Sequence, residues 1–442
     1  MLTKQQLNTV RHGANLPRLN LYQKLLPVIL QYIVKPGHLA VLCLVNKSFY
    51  AFCIPYLYQR AFIYAWHKEG KAKVIKLFRT LADYPHLARF VQQLVIRDFP
   101  KTLHSTDPAH GLEMELEING RHEGHYDPQI LSRFTRLRKI SLIMPSSSVI
   151  DVLPSWTRST GNSLRNLTLI CKSSTVVNDG LLEAIAPNVN SLEYLSMVGC
   201  PKVTHEGLWV ILSANSKGIL AIGMEGLSPA FDMGLFSMRC QRSGVLSRLR
   251  SITLTVDEHT SIIAWQTNVL TLLSQSPLEQ FHISTVGGHV GYRLSDQFCA
   301  DIVDAHGARL RRFSVHRMRM SLEAIDDICC RCVSLEQLFI VVDQDDMNGL
   351  GPCLARARRL RAVHVSRPLD FGSEDVPMQS REHIISIARQ CSPSVRQFGF
   401  NTRVFQVERV AKAGEDGSVT TDVLLSAYES PEIPEQFLVV RT

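Results

Sequence analysis

The run LEYLSMVGCPKVTHEGL, Leu192 to Leu208, decides the fold. Its first half sets apolar residues at Leu192, Leu195 and Met197, a Leu-x-x-Leu-x-Leu spacing ending in the short alternation of a strand with a buried side. Its second half passes through Cys200 and Pro201 to Thr204, whose hydroxyl can satisfy an unpaired backbone N–H at the start of a helix.

The same spacing returns as LRKISL from Leu137, LRNLTL from Leu164, ILAIGM from Ile219 and LRSITL from Leu249. It continues as LEQFHI from Leu278, LRRFSV from Leu310, LEQLFI from Leu335, LRAVHV from Leu360 and VRQFGF from Val395. Ten copies result, their starts 27, 28, 27, 30, 29, 32, 25, 25 and 35 residues apart. The intervening stretches, among them DGLLEAIAPN, SDQFCADIVDAHG and SREHIISIARQC, carry helical periodicity, and Ser295, Ser321 and Ser380 stand before helical runs as Thr204 does. One strand and one helix cannot bury their own apolar face, so such units must stack and share a core. The expected fold is therefore an α/β leucine-rich-repeat solenoid, an arc with its strands inside.

The flanks depart from the repeat. Residues 1–15 read as an N-terminal extension, 16–60 as a compact apolar block with helical spacing, 61–89 as a helical linker, and 90–400 as the repeat array. In 401–442 the runs VFQVERV, DVLLSAY and FLVV, separated by Gly and Pro, suggest a strand cap over the open end of the array.

Within the apolar block, LYQKLLPVILQYIVKPGHLAVLCLVNKSFYAFCIPYLYQ from Leu21 resembles the F-box in the order of its apolar positions. Leu25, Ile29, Leu30 and Ile33 match the first helix of that family, and Leu39, Leu42, Leu44, Val45 and Phe49 match its second helical segment. The family's Leu-Pro opening is here Leu21-Tyr22, or Leu16-Pro17 displaced upstream, and Lys24 replaces its usual acidic residue. FRTLADYPHLARFVQQLVIRDF from Phe78 and the closing YESPEIPEQFLVVRT are similar to segments of fungal F-box-like proteins. The run from Leu192 resembles the cysteine-containing subtype of leucine-rich repeat, with His205 where that subtype has Asp. The resemblance implies a non-catalytic substrate receptor of a Skp-cullin-F-box ubiquitin ligase. Its F-box would bind a Skp-type adaptor, and through it a cullin, by way of Leu25, Ile29, Leu30, Ile33, Leu39, Leu42, Val45 and Phe49. Its repeats would bind a protein client. Periodicity alone equally allows a repeat scaffold without ligase connection, its first helices serving as a terminal cap.

Composition fits a folded chain: 442 residues, 45% hydrophobic, 20% charged. The net charge of +8 contains no block of five like charges, and its densest arginines, Arg309 to Arg319 and Arg356 to Arg361, lie inside leucine-spaced segments, so no nucleic-acid partner is expected. Met1 to Ala14 is polar, and the longest apolar run, Leu25 to Val34, is half a membrane span. The expectation is a protein of the cytoplasm, nucleus or both, without a membrane partner. The eleven cysteines read as mostly buried free thiols.

No pattern points to catalysis, a metal or a cofactor. Cys329, Cys330 and Cys332 lack a second ligand pair, and His122 and His125 are separated by only two residues, including Gly124. Asp343, Asp345 and Asp346 begin like a calcium loop but have Met347 and Asn348 where a ligand and a Gly are needed. Gly287, Gly288 and Gly291 are wrongly spaced for a phosphate cradle. Strand alternation turns other residues away from the core: Tyr194, Ser196, His282, Ser284, Arg312, Ser314, His316, Gln337, Phe339, His364 and Ser366. Of these, Tyr194, Ser196, His282, Arg312, His316, Phe339 and His364 form the expected client-binding set, with Tyr194 and Phe339 as exposed aromatic anchors.

Overall fold

The computed structural model describes residues 21–30, 33, 36–63, 70–96, 129, 132, 134–143, 145, 147–171, 174–257, 260–285, 293–368, 381–401, 403–413 and 419–427. The 1–15 extension, Leu16, Pro17, His122, His125, Gly287, Gly288, Gly291, Ser380 and the FLVV run lie outside the described residues, as do the side chains of Tyr22 and Lys24. The chain divides into two compact units, residues 1–139 and 140–442.

In the first unit, helices α1 (Leu21–Leu30), α2 (Pro36–Leu42) and α3 (Lys47–Gln59) lead into strand β1 (Arg60–Ile63). Helices α4 (Gly70–Asp83) and α5 (Pro85–Ala88) then return the chain to β2 (Gln93–Ile96), which pairs with β1 in parallel. The 61–89 linker was expected to be wholly helical; it contains β1, and the unit closes on a strand-helix-strand motif. The missed signal is VQQLVI from Val91, which carries the template spacing at Val91, Leu94 and Ile96.

In the second unit, each of the ten template copies forms one strand. They are β3 (Lys139–Ile143), β4 (Asn166–Ile170), β5 (Tyr194–Val198), β6 (Ala221–Glu225), β7 (Ser251–Val256), β8 (Gln280–Thr285), β9 (Arg312–His316), β10 (Gln337–Val341), β11 (Ala362–Ser366) and β12 (Gln397–Phe400). They lie side by side in chain order, with parallel pairing from β4 through β12. The first connection holds two helices, α6 (Ser147–Asp151) and α7 (Leu153–Thr160). The later ones hold α8 (Asp179–Ile185), α9 (His205–Ala214), α10 (Met233–Ser243), α11 (Ile262–Leu273), α12 (Asp296–His306), α13 (Leu322–Arg331), α14 (Leu350–Arg356) and α15 (Arg381–Gln390). This alternation makes the second unit a leucine-rich-repeat solenoid of the α/β kind.

The register explains the core. The second strand position forms one row across the sheet, from Leu167 through Phe281 and Phe313 to Phe398, and every one of these side chains is buried. Phe281 lies 5.4 Å from Phe313 and 6.0 Å from Phe298 of α12, centroid to centroid, so an aromatic cluster joins two strands to the helix between them.

Helix starts lock one repeat to the next. Thr204, Ser295 and Ser321 cap their helices, accepting from Glu206 N, Phe298 N and Ala324 N, and Asn178 and Asp232 do the same for α8 and α10. Asp179, first residue of α8, accepts from Thr204 N at 2.8 Å and from Thr204 Oγ1 at 2.6 Å; Asp296, first residue of α12, accepts from Ser321 Oγ at 2.7 Å. His205 occupies that place in α9, and its Nδ1 accepts from Asp232 N at 3.2 Å, while Nε2 lies 3.5 Å from Glu206 Oε1. A ring protonated on Nε2 performs the acceptor role of the aspartates. His205→Ala should lower unfolding stability by about 1 kcal/mol, the worth of one hydrogen bond, whereas His205→Asp should recover most of it in a denaturant titration.

His306 closes α12 in a buried position where its Nδ1 meets no hydrogen-bond partner among the described residues. Burial, helped by nearby Arg309, pushes its pKa down to about 4. An unfolded ring takes its proton near 6.5, so as pH falls from there toward 4 the unfolded chain binds the proton and the folded one resists. Up to about 3 kcal/mol of stability should therefore be lost across that window. A His306→Leu variant should lose correspondingly less between pH 7 and pH 4.5 in parallel denaturation curves.

Two antiparallel strands, β13 (Arg403–Ala413) and β14 (Val419–Ala427), follow β12 and end the sheet. Three arginines bind this hairpin to its surroundings: Arg389 reaches Asp422 at 2.8 Å, Arg381 donates to Leu425 O, and Arg409 donates to the carbonyls of Val395 and Ser392 at 2.9 and 3.0 Å. Arg409 also donates to Ala388 O at 3.5 Å, in the last turn of α15, where a helix leaves acceptors open.

Candidate functional site

The first candidate surface is on the helical unit. Helices α1, α2 and α3 share a small core of Leu30, Leu39 and Cys53, against which Leu26, Ile33, Leu42, Cys43, Phe49, Phe52, Tyr56 and Leu57 pack. Asn46 accepts from Phe49 N at 2.9 Å at the start of α3, and Tyr56 Oη donates to Pro27 O at 3.3 Å, fixing α3 against α1. Helix α1 is apolar on two faces: Leu26 and Leu30, four residues apart, point to the core, while Leu25, Val28 and Ile29 at helical spacing point to solvent. Val41 of α2 and Leu44 and Val45 in the following turn are exposed as well, Ile29 at 56% and Val45 at 58%.

The expected adaptor-binding set is thereby divided. Leu25, Ile29 and Val45 are exposed, and Ile33, Leu42 and Phe49 are half-buried. Leu30, at 1% exposure, and Leu39 are buried, correcting the expectation that they face a partner. Three short helices need an interior of their own, and these two leucines supply it together with Cys53.

The second candidate surface is the strand face of the solenoid. Parallel register places Thr168, Ser196, Gly223, Thr253, His282, Ser314, Phe339, His364 and Gly399 in one row. Adjacent strands lie about 4.8 Å apart, so large residues in such a row touch sideways. His282 Nδ1 and Ser314 Oγ are 2.7 Å apart, and the rings of Phe339 and His364 stack at 6.1 Å. A Cβ on Gly399 would collide with the His364 ring, and one on Gly223 would sit 2.7 Å from Ser196 Oγ. As a result Phe339 is only 3% exposed, and His282, Ser284 and Ser314 are buried too, which overturns their expected exposure. Phe339 is an internal brace of the row, not a projecting anchor.

Tyr194 keeps its expected position, with 42% exposure. Beside it, β6 places Ala221 and Gly223 on the strand face opposite Tyr194 and Ser196, a floor of small residues that ends at Glu225. Beyond that floor Ser251, Gln280, Arg312 and Gln337 make a hydrogen-bonded polar ladder: Ser251 Oγ donates to Gln280, and Arg312 donates to both Gln280 and Gln337. Ser196, Arg312, His316, Gln337, His364 and Ser366 are all half-buried.

From β4 to β11 the residues just before the strands form an edge of alternating charge. Arg165 pairs with Glu193 at 3.8 Å, Arg250 with Glu279 at 3.1 Å, and Glu336 lies between Arg311 at 2.8 Å and Arg361 at 4.0 Å. Leu220 interrupts the series at β6.

The thiols are placed for packing. Cys329 and Cys332 are buried and Cys330 is exposed. Burial pushes Cys240, Cys299, Cys332 and Cys391 up to about 12, so they stay protonated at neutral pH. A hydrogen bond from Cys200 holds Cys171 below the usual thiol range, and the same bond, with burial, pushes Cys200 far up. Asp343 pairs with Arg319 at 3.1 Å, and Asp345–Gly349 winds into a 3-10 turn. Among the described residues no three His, Cys, Asp or Glu side chains are grouped to hold a metal ion, and no helix is long and apolar enough to cross a membrane.

No protein-family model and no curated protein sequence matches the chain. Among solved structures it is similar to the leucine-rich repeat-containing protein LegL7 from Legionella pneumophila, at 10% identity and a TM-score of 0.36, over 60% of this chain and 84% of that one. The assignment of the second unit to the leucine-rich-repeat solenoids rests on its own ten template strands and their register.

Proposed function

We propose that the chain is a non-catalytic substrate receptor of a Skp-cullin-F-box ubiquitin ligase. The helical unit docks on a Skp-type adaptor, the adaptor joins a cullin, and the strand face of the solenoid holds a protein client for ubiquitin transfer. The work would take place in the cytoplasm, the nucleus or both. The observation that carries the reading is the second apolar face of the first three helices: Leu25, Val28, Ile29, Val41, Leu44 and Val45 are exposed beside a shared buried cluster of Leu30, Leu39 and Cys53. Exposed apolar residues gathered in this way mark a surface that another protein covers. Client contact is proposed at Tyr194 and Ser196, over the small-residue floor of β6, extending to Arg312, His316 and His364.

Co-expression of the full chain with a Skp-type adaptor and a cullin should give a complex that elutes as one species in size exclusion. A chain that elutes alone at micromolar concentrations, with its helical unit folded, would leave a repeat scaffold with no ligase connection.

A further inference from the structure

The net charge of +8 is spread unevenly along the chain, and residues 98–139, with six Lys and Arg against seven Asp and Glu, contribute almost nothing to it. Residues 1–97 contain fourteen Lys and Arg against two acidic residues, Glu69 and Asp83. The solenoid unit, residues 140–442, contains 28 Lys and Arg against 31 Asp and Glu. The absence of any block of like charges concealed this, because the excess is spread over helices and turns.

Several solenoid arginines have carboxylate partners, whereas three lysines of the first unit have none among the described residues. The solenoid examples are Arg239 with Glu206 at 2.6 Å, Arg311 with Glu336 at 2.8 Å, Arg356 with Asp326 at 2.9 Å, and Arg331 with Asp304 and Asp327. In the helical unit, Lys47, Lys73 and Lys76 are exposed, and none forms an ion pair among the described residues. Lys73 and Lys76 are three residues apart on α4, whose opposite side buries Val74, Phe78 and Leu81. Lys47 begins α3 two residues after Val45, at the edge of the exposed apolar face. An apolar centre with a charged rim is the usual anatomy of a protein interface, and uncompensated charge of one sign over a small unit raises the encounter rate with an opposite one.

From this we infer that the helical unit is built for an acidic protein partner, one that presents an apolar patch bordered by carboxylates, and that the cations of residues 1–97 steer its approach. The inference rests on the docking role proposed above and adds the chemistry of the partner's face. An anionic membrane or a nucleic acid would meet the charge alone; neither offers a packed apolar counterpart to Ile29, Leu44 and Val45.

The test uses the full chain and a purified Skp-type adaptor in stopped-flow and equilibrium binding between 50 and 500 mM NaCl. The association rate should fall at least about tenfold across that range, and K47E/K73E/K76E should slow association at low salt by about tenfold with little change in dissociation. A Lys47→Arg, Lys73→Arg, Lys76→Arg variant should associate as the natural chain does, which separates a charge effect from misfolding. Firm but salt-insensitive binding, unaffected by charge reversal, would overturn this inference and leave the adaptor role standing. Failure to bind the adaptor, with salt-sensitive capture of duplex DNA or of phosphatidylserine vesicles instead, would overturn both.

Discussion

Ile29→Glu combined with Val45→Glu should weaken adaptor binding at least about 100-fold while leaving the melting temperature of the chain unchanged. Each residue is more than half exposed, so a charge there is solvated in the free chain and costs almost nothing in folding. In the complex the same charge would be stripped of water against an apolar surface. Truncating a central anchor costs about 2 kcal/mol or more, and about 1.4 kcal/mol is a factor of ten. Two such positions therefore suffice for the stated loss, even with imperfect additivity. Leu30→Glu supplies the contrast: it buries a carboxylate beside Leu39 and Cys53, so it should melt the helical unit and abolish binding for a structural reason. Isothermal titration paired with circular dichroism distinguishes the two. Normal affinity in the double variant would remove this face as the docking surface.

Phe313→Ala should cost about 3–5 kcal/mol, the largest single-residue loss expected in the solenoid. Phe313 is fully buried between Phe281 of β8 and the row position Leu338 of β10, and Phe281 in turn touches Phe298 of α12. Deleting the ring leaves a cavity that three secondary-structure elements would have to close. In a stacked array each repeat leans on its neighbours, so the damage passes to both sides. Tyr194→Ala, on the strand face of the same kind of strand, should shift stability by about 0.5 kcal/mol or less, because its ring already faces water. Urea midpoints for the two variants measure the difference, and equal losses would contradict the assignment of core and face.

The solenoid could be read from the sequence because its determinants are local and repeated. Each Leu-x-x-Leu-x-Leu copy, from Leu137 to Val395, became one of the strands β3 to β12. The core rows are formed by the template positions themselves, so the spacing specified them. The strand face was harder, since alternation says only that Phe339 points away from the core. Whether it then meets water depends on His364 and Ser314, its neighbours in the row, which are 25 residues away in the chain. The helical unit posed a similar difficulty. Ile29 and Leu30 are adjacent, equally apolar and both consistent with a helix, yet one is exposed and the other seals the interior. Which face of α1 turns inward is decided by Leu39 and Cys53. The strand-helix-strand motif at 60–96 was missed because Val91, Leu94 and Ile96 substitute for two of three template leucines and follow a helical stretch.

The gap at Leu220 in the charged edge has a mechanical meaning. On one side Arg165 and Glu193 are clasped; on the other, Arg250 to Arg361 carry a run of ionic clasps. At β6 the charged clasp is missing from the strand edge, so the ties between these repeats pass to their helices, where Arg239 of α10 meets Glu206 of α9 at 2.6 Å and Asp232 N donates to His205 Nδ1. These repeats are fastened from the helix side, and the strand edge in front of them is bare of charge. The bare stretch borders Tyr194, so an incoming side chain would meet an aromatic ring there without first displacing an ion pair.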